Sequence, residues 1–253
     1  MTNWRRPPVR RLFGALDATW PAHSYYQEPP WRLCYGAGGG QRVSAAIAEA
    51  PGQPVTSADI DRAESRMRAL DQVPLFMIRE GEADLDAALG ERGYGVVDPV
   101  AILAAPASSM KPGGATGCSV VPCDTPLAVM EEIWSEGGID RGRLDVMARA
   151  KAPKAYLLLR CNDRVAAVVF VACDGDVAML HALEVRESHR RKGYGRHLSI
   201  AAAGWAADHG ARTLALLAVR SNAAAIGLYQ GLGMTEVAHY HYRKKQAGRT
   251  GGE

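Results

Sequence analysis

The chain has 253 residues, 47% of them hydrophobic and 23% charged, which fits one large or two ordinary globular domains and excludes a disordered or coiled-coil composition. A formal net charge of +3 is too mild for a nucleic-acid partner, because such proteins concentrate many more Lys and Arg on one face. Five cysteines (Cys34, Cys118, Cys123, Cys161, Cys173), odd in number and without CxxC or Cys/His metal spacing, support neither a disulfide framework nor a zinc site, so no metal is expected and a reducing cytoplasm is the simpler setting.

The first residues, MTNWRRPPVRRLFGAL, are basic, but no apolar run of about 7–15 residues follows as a signal peptide needs. No later segment approaches the ~20 apolar residues of a membrane span, so a soluble chain without a membrane partner is expected. Gly36-Ala-Gly-Gly-Gly40, followed by Arg42, reads as a turn between strands rather than an anion loop. A helix is predicted over 57–70, then strand, helix, Gly plus apolar residue, and strand over 74–105. At AAPASSMKPGGATG (104–117) small residues, Pro and Gly replace periodic apolar ones. The expected organisation is therefore an N-terminal domain over 1–105, a linker over 106–117, a second domain over 118–245 and a disordered tail, QAGRTGGE, over 246–253.

In the second half, an amphipathic stretch over 126–149 precedes three β-rich runs, 156–160, 165–173 and 177–185. They are separated by Asn162-Asp163 and Asp174-Gly175-Asp176, as in an antiparallel meander. Helix is predicted over 196–209 with Gly210 as its stop, strand over 213–219, helix over 222–232 and strand over 237–243. The order, β-α-β-β-β-α-β-α-β, describes an α/β domain with a mixed sheet. Residues 74–105 repeat the pattern of 213–244 at a constant offset that sets Gly93 on Gly233 and Tyr94 on Met234, a candidate internal repeat.

The sharpest local feature is Arg190-Arg191-Lys192-Gly193-Tyr194-Gly195 followed by Arg196, lying between a strand and a helix where successive N–H groups converge on an anion. Its charges and glycines favour a pyrophosphate, although a solvated basic turn has the same composition. The loop lacks the third glycine of a dinucleotide fingerprint and the Gly-Lys-Ser/Thr of a P-loop.

With LHALEV (180–185) before this loop, and Asn222, Ala225, Leu228, Tyr229, Gly233 and Met234 after it, the second half resembles the GNAT superfamily of N-acetyltransferases. Arg190, Gly193 and Gly195 fall on the family's anion-loop pattern, and Met234 stands where Phe is usual. The resemblance covers about half the chain, roughly 120–243. It implies a GNAT-like mixed β-sheet flanked by helices, of α+β type, with a second, degenerate GNAT-like half at the N-terminus.

The resemblance further implies acetyl-CoA as co-substrate, with its pantetheine arm along Leu183 to Val185 and its pyrophosphate on the amides of 191–196. It also implies an amine acceptor and Tyr229 as the acid that protonates the departing thiolate; a core tyrosine is the alternative for that residue. Asn222 lines the cofactor cleft and caps its helix. For the base, His181 is favoured over Glu184. On a regular strand the two point to opposite faces, His181 shares the parity of Leu183 and Val185, and arylalkylamine N-acetyltransferases, which LHAL-V resembles, carry a His there. A core histidine is the alternative.

Glu136 and Asp140 are candidates to meet a cationic acceptor, or else ordinary solvated acids. The first half has Glu82 and Leu89 at the places of Asn222 and Tyr229 and no basic loop over 50–55, so no site is expected in it. The function implied is direct transfer from acetyl-CoA to a primary amine without an acyl-enzyme. The rival is a non-catalytic acyl-CoA-binding regulatory module.

Overall fold

The computed structural model describes residues 4–110, 117–151 and 153–245. In chain order they form α1 (Val9–Thr19), β1 (Ser24–Glu28), β2 (Trp31–Tyr35), β3 (Ala46–Ala48), α2 (Ser57–Ala69), β4 (Leu75–Arg79), α3 (Ala83–Glu91) and β5 (Tyr94–Pro106). After a 3-10 turn at Ala107–Ser109 come β6 (Cys118–Cys123), α4 (Ala128–Glu136), α5 (Arg141–Arg149), β7 (Lys154–Cys161), β8 (Arg164–Asp174) and β9 (Val177–Val185). The chain continues through a 3-10 turn at Glu187–His189 to α6 (Tyr194–Asp208), β10 (Thr213–Val219), α7 (Ala223–Gln230) and β11 (Thr235–Lys245).

These residues fall into two compact units, one within Met1–Pro21, Ala101–Ala218 and Asn222–Ala238, the other within Ala22–Val100, Val219–Ser221 and His239–Glu253. The division differs from a single boundary at 106–117. Composition marks where the chain is rich in Pro and Gly, whereas backbone pairing decides which segments pack together. The second half of β11 pairs antiparallel with β4, from Tyr240↔Arg79 to Lys244↔Leu75, and α1 packs on β8 and β9. Residues 111–116 of the expected linker and the expected tail lie outside the described residues.

In the larger unit the sheet order is β5-β10-β9-β8-β7-β6, with β9 and β10 parallel and β6 to β9 an antiparallel meander. The turn between β7 and β8 places Asn162 at φ 47° and Asp163 at φ 63°, the left-handed region that Asn and Asp tolerate best after Gly. α6 buries Leu198, Ala202, Ala203 and Ala206 against this sheet. Its small side chains let the helix approach closely, and burying Leu198 stabilises it by about 1.5–3 kcal/mol. The stretch over 126–149 forms two helices, separated after Glu136 by Gly137 and Gly138. Cys118 and Cys161 form a disulfide, against the expectation from cysteine count. Antiparallel pairing of β6 with β7 sets these residues directly opposite each other, a proximity hidden by 43 residues of separation.

The smaller unit orders its strands β1-β2-β3-β4 followed by the second half of β11. Trp31, Phe76 and Tyr94 form its aromatic core, with ring centroids 5.2 and 5.4 Å apart. The glycine-rich stretch 36–40 is a turn, as expected, closed by Gly39 N–H donating to Gly36 C=O.

Candidate active site

The site of the larger unit begins where two parallel strands part. β10 pairs with β9 from Thr213↔Val177 to Leu216↔Leu180 and no further, so the β10-facing backbone edge of His181–Val185 is left for another partner. Ala182 to Val185 are half-buried, and a strand edge of this kind suits an extended, amide-bearing ligand. Gly195 wedges into this region. A Cβ there would lie 3.4 Å from Leu228 on α7 and 3.7 Å from both Leu183 and Val185, so β9, α6 and α7 converge on one spot.

The loop ahead of α6 has the conformation its sequence implies. Arg191 and Gly193 take φ of 64° and 77°, and Gly193 is the N-cap of α6 without any side-chain cap. The first intrahelical bond runs from His197 N–H to Gly193 C=O, so the amides of Tyr194, Gly195 and Arg196 point out of the helix start. Helix dipole and free amides together make an anion seat. Arg191, Lys192 and Arg196 are exposed around it. Arg190 turns back on the strand instead, donating from Nε to Val185 C=O at 3.1 Å and from Nη2 to Glu184 Oε1 at 3.0 Å.

Asn222 caps α7, its Oδ1 accepting from Ala225 N–H at 3.0 Å. Tyr229 is buried in the core of the larger unit, and burial pushes its pKa above that of an ordinary tyrosine. The phenol therefore stays protonated at neutral pH. Cys173 is buried too, its pKa pushed up to about 11, which leaves little thiolate to act as a nucleophile.

The regular-strand parity expected for His181 and Glu184 fails at a β-bulge. β8 partners advance from Val168 to Phe170 while β9 partners run from Glu184 back to His181, which places one extra residue on β9, and Ala182 takes φ 52°. The extra residue puts His181 and Glu184 on the same face, opposite to Leu183 and Val185, which pack toward α6. His181 is 4% exposed, with its ring centroid 4.9 Å from Trp20 and Nε2 2.9 Å from Thr19 Oγ1. That hydroxyl donates its single hydrogen to Ala15 C=O at 2.7 Å, so Nε2–H of His181 donates to Thr19. The imidazole thus has the environment of a core histidine. Glu184 keeps 18% of its side chain exposed beside Gly137. Neither Glu136 nor Asp140 is an uncommitted acid: Glu136 pairs with Arg186 at 3.4 Å and Asp140 caps α5 through Arg143 N–H at 3.1 Å.

Residues 124–234 match the profile of the acetyltransferase (GNAT) family. This segment is a GNAT domain. A curated relative, an uncharacterised N-acetyltransferase, YobR, of Bacillus subtilis, is 26% identical over 106 residues, an alignment covering 42% of this chain and 43% of that protein. The match thus spans less than half of the relative. Among solved structures, a GCN5-related N-acetyltransferase from Kribbella flavida matches with a TM-score of 0.72 at 20% identity, covering 97% of this chain and 98% of the other. A tandem GNAT protein from the clavulanic acid biosynthesis pathway matches with a TM-score of 0.64 at 14% identity, covering 99% and 92%. At these identities the likeness is one of fold, and the GNAT fold accounts for nearly the whole chain.

The smaller unit repeats the secondary structure of the GNAT domain but fills its anion seat from within. α3 and α7 begin at Ala83 and Ala223, and the glycines behind them, Gly93 and Gly233, take φ of 79° and 82°. At the start of α2 the Asp59 carboxylate accepts from Thr56 N–H at 2.7 Å in a capping box. Glu82, at the place of Asn222, is buried and paired with Arg79 at 2.5 Å. Among the described residues no cluster of three or more His, Cys, Asp or Glu is arranged to hold a metal, and no helix is long and apolar enough to cross a membrane.

Proposed function

We propose that the chain transfers an acetyl group from acetyl-CoA to a primary amine in a ternary complex, using the GNAT domain. The observation that carries this reading is the uncapped start of α6 beside the parted strands β9 and β10. The amides of 191–196 receive the pyrophosphate, and Leu183 to Val185 offer a strand edge to the pantetheine amides. The side chains of Arg191, Lys192 and Arg196 add positive charge, while Gly193, Tyr194 and Gly195 let the cofactor approach the backbone.

Glu184 takes the ammonium proton of the acceptor, because it shares the bulge's face with His181 and reaches solvent, whereas His181 is enclosed by Trp20 and Thr19. His181 then supports the strand instead of acting as the base. The free amine attacks the thioester carbon, the tetrahedral intermediate collapses, and the C–S bond breaks. Tyr229 gives its proton to the departing thiolate, and the proton that the attacking nitrogen sheds as the amide forms returns to the phenolate.

Calorimetric titration with acetyl-CoA, paired with thiol release over a panel of primary amines and peptides, tests the reading. Binding with turnover that collapses in Tyr229→Phe and Glu184→Gln is the expected result. Binding without release for any amine moves the reading to a non-catalytic acyl-CoA module, and absence of binding overturns it.

A further inference from the structure

Three contacts tie the end of α4 to the bulge of β9. The bulge interrupts the β8–β9 ladder at Ala182, and the C=O of Ala182 accepts instead from Trp134 Nε1 at 2.8 Å. Trp134 is fully buried and its ring is held by Tyr156 at 6.0 Å, so the indole is a fixed donor. One turn further on, a Cβ placed on Gly137 would lie 2.5 Å from Cδ and Oε2 of Glu184, well inside any tolerated contact. Beyond the carboxylate, Arg186 reaches back to Glu132 at 3.5 Å and Glu136 at 3.4 Å, again on α4.

We infer that Gly137 and Trp134 are positioning residues for Glu184: the missing side chain of Gly137 is the seat of the carboxylate, and Trp134 fixes the bulge that aims it. This rests on the proposed acetyl transfer for its meaning, but not for its geometry. Gly137 itself has φ −83° and ψ 4°, which any residue adopts, so nothing in the backbone demands glycine there. The demand comes from Glu184. Adding a methyl group displaces the far end of that flexible side chain and leaves the helix intact. Arg190, on the other oxygen, marks the direction from which the carboxylate is already held.

The test reads the carboxyl carbon of Glu184 by 13C NMR at one fixed pH, with its resonance assigned by loss in Glu184→Gln. The wild type, Gly137→Ala, Trp134→Phe and, as a control on the exposed face of α4, Ser135→Ala are compared. The resonance is expected to shift in Gly137→Ala and Trp134→Phe, where the carboxylate changes its surroundings, and to stay in place in Ser135→Ala. Acetyl-CoA affinity should hold within about twofold while thiol release in the presence of amine falls about tenfold or more, the scale on which misplaced catalytic groups act. Unshifted resonances in both variants, with folded protein by circular dichroism, overturn the inference. Shifted resonances together with full turnover by Glu184→Gln leave the seat standing and reject Glu184 as the base, which separates this inference from the function on which it rests.

Discussion

At the scale of single residues, the acid and the base proposed for acetyl transfer rest on different kinds of signal. Tyr229 lies in a chain-local pattern with Asn222 and Gly233, and a pattern along a helix survives folding unchanged. The choice between His181 and Glu184 turned on one extra residue at Ala182, a residue type with no turn signature of its own. Tyr229→Phe removes only the proton donor, so thiol release should fall by about 10²–10⁴ with acetyl-CoA affinity unchanged by calorimetry. For His181 the expectation concerns stability. Thr19→Val deprives the buried Nε2–H of its acceptor, which costs about 1–3 kcal/mol. Urea unfolding of the variant measures it, and a loss well below that range would mean that water reaches the ring.

At the scale of elements, periodicity and turn chemistry located α2 and the elements from β7 to β11 within a residue or two, because apolar runs bounded by Asn-Asp or Gly code for themselves, but passed over α1 and β1 to β3. What they left out were contacts between distant elements, such as the Cys118–Cys161 pairing and the anchoring of β9 by α4. The anion seat of α6 depends on Gly193 at φ 77°. Gly193→Ala costs about 1–2 kcal/mol in that conformation and turns the helix-start amides aside. Acetyl-CoA affinity should fall at least about tenfold in calorimetry. In the smaller unit, β11 is pinned to α3 through Asp86, which accepts from Arg243 Nε at 2.6 Å and His241 Nε2 at 2.7 Å. The Arg243 hydrogen bond, opposed by burial and aided by His241, holds the carboxyl below its ordinary value of 3.8. Because the folded-state pKa is the lower one, this contribution is fully present above the unfolded value and is lost as pH falls through the folded value. Asp86→Asn should therefore be less stable than wild type by about 1 kcal/mol at neutral pH, and denaturant midpoints of the two should converge below about pH 4.

At the scale of the whole molecule, the duplication was visible as two glycines 140 positions apart, Gly93 and Gly233, both in the left-handed region behind a helix. The segments that trade places were not, because strand pairing such as β4 with β11 leaves no mark in composition. Duplicated folds raise the question of duplicated sites, and the two helix starts answer it differently. α6 presents three amides without a side-chain cap, whereas at the start of α2 the Thr56 hydroxyl accepts from Asp59 N–H and the Asp59 carboxylate accepts from Thr56 N–H, placing a carboxylate beside the helix start where an anion would have to bind. A second anion would have to displace that charge, and Glu82, buried against Arg79, stands where the GNAT domain has Asn222. Calorimetry should accordingly give one acetyl-CoA per chain. Gly193→Ala should weaken that one event without uncovering another, and Asp59→Asn should leave the stoichiometry at one. Two equivalents in the wild type would show that the smaller unit binds the cofactor through groups other than a helix start, and would overturn its reading as a degenerate half.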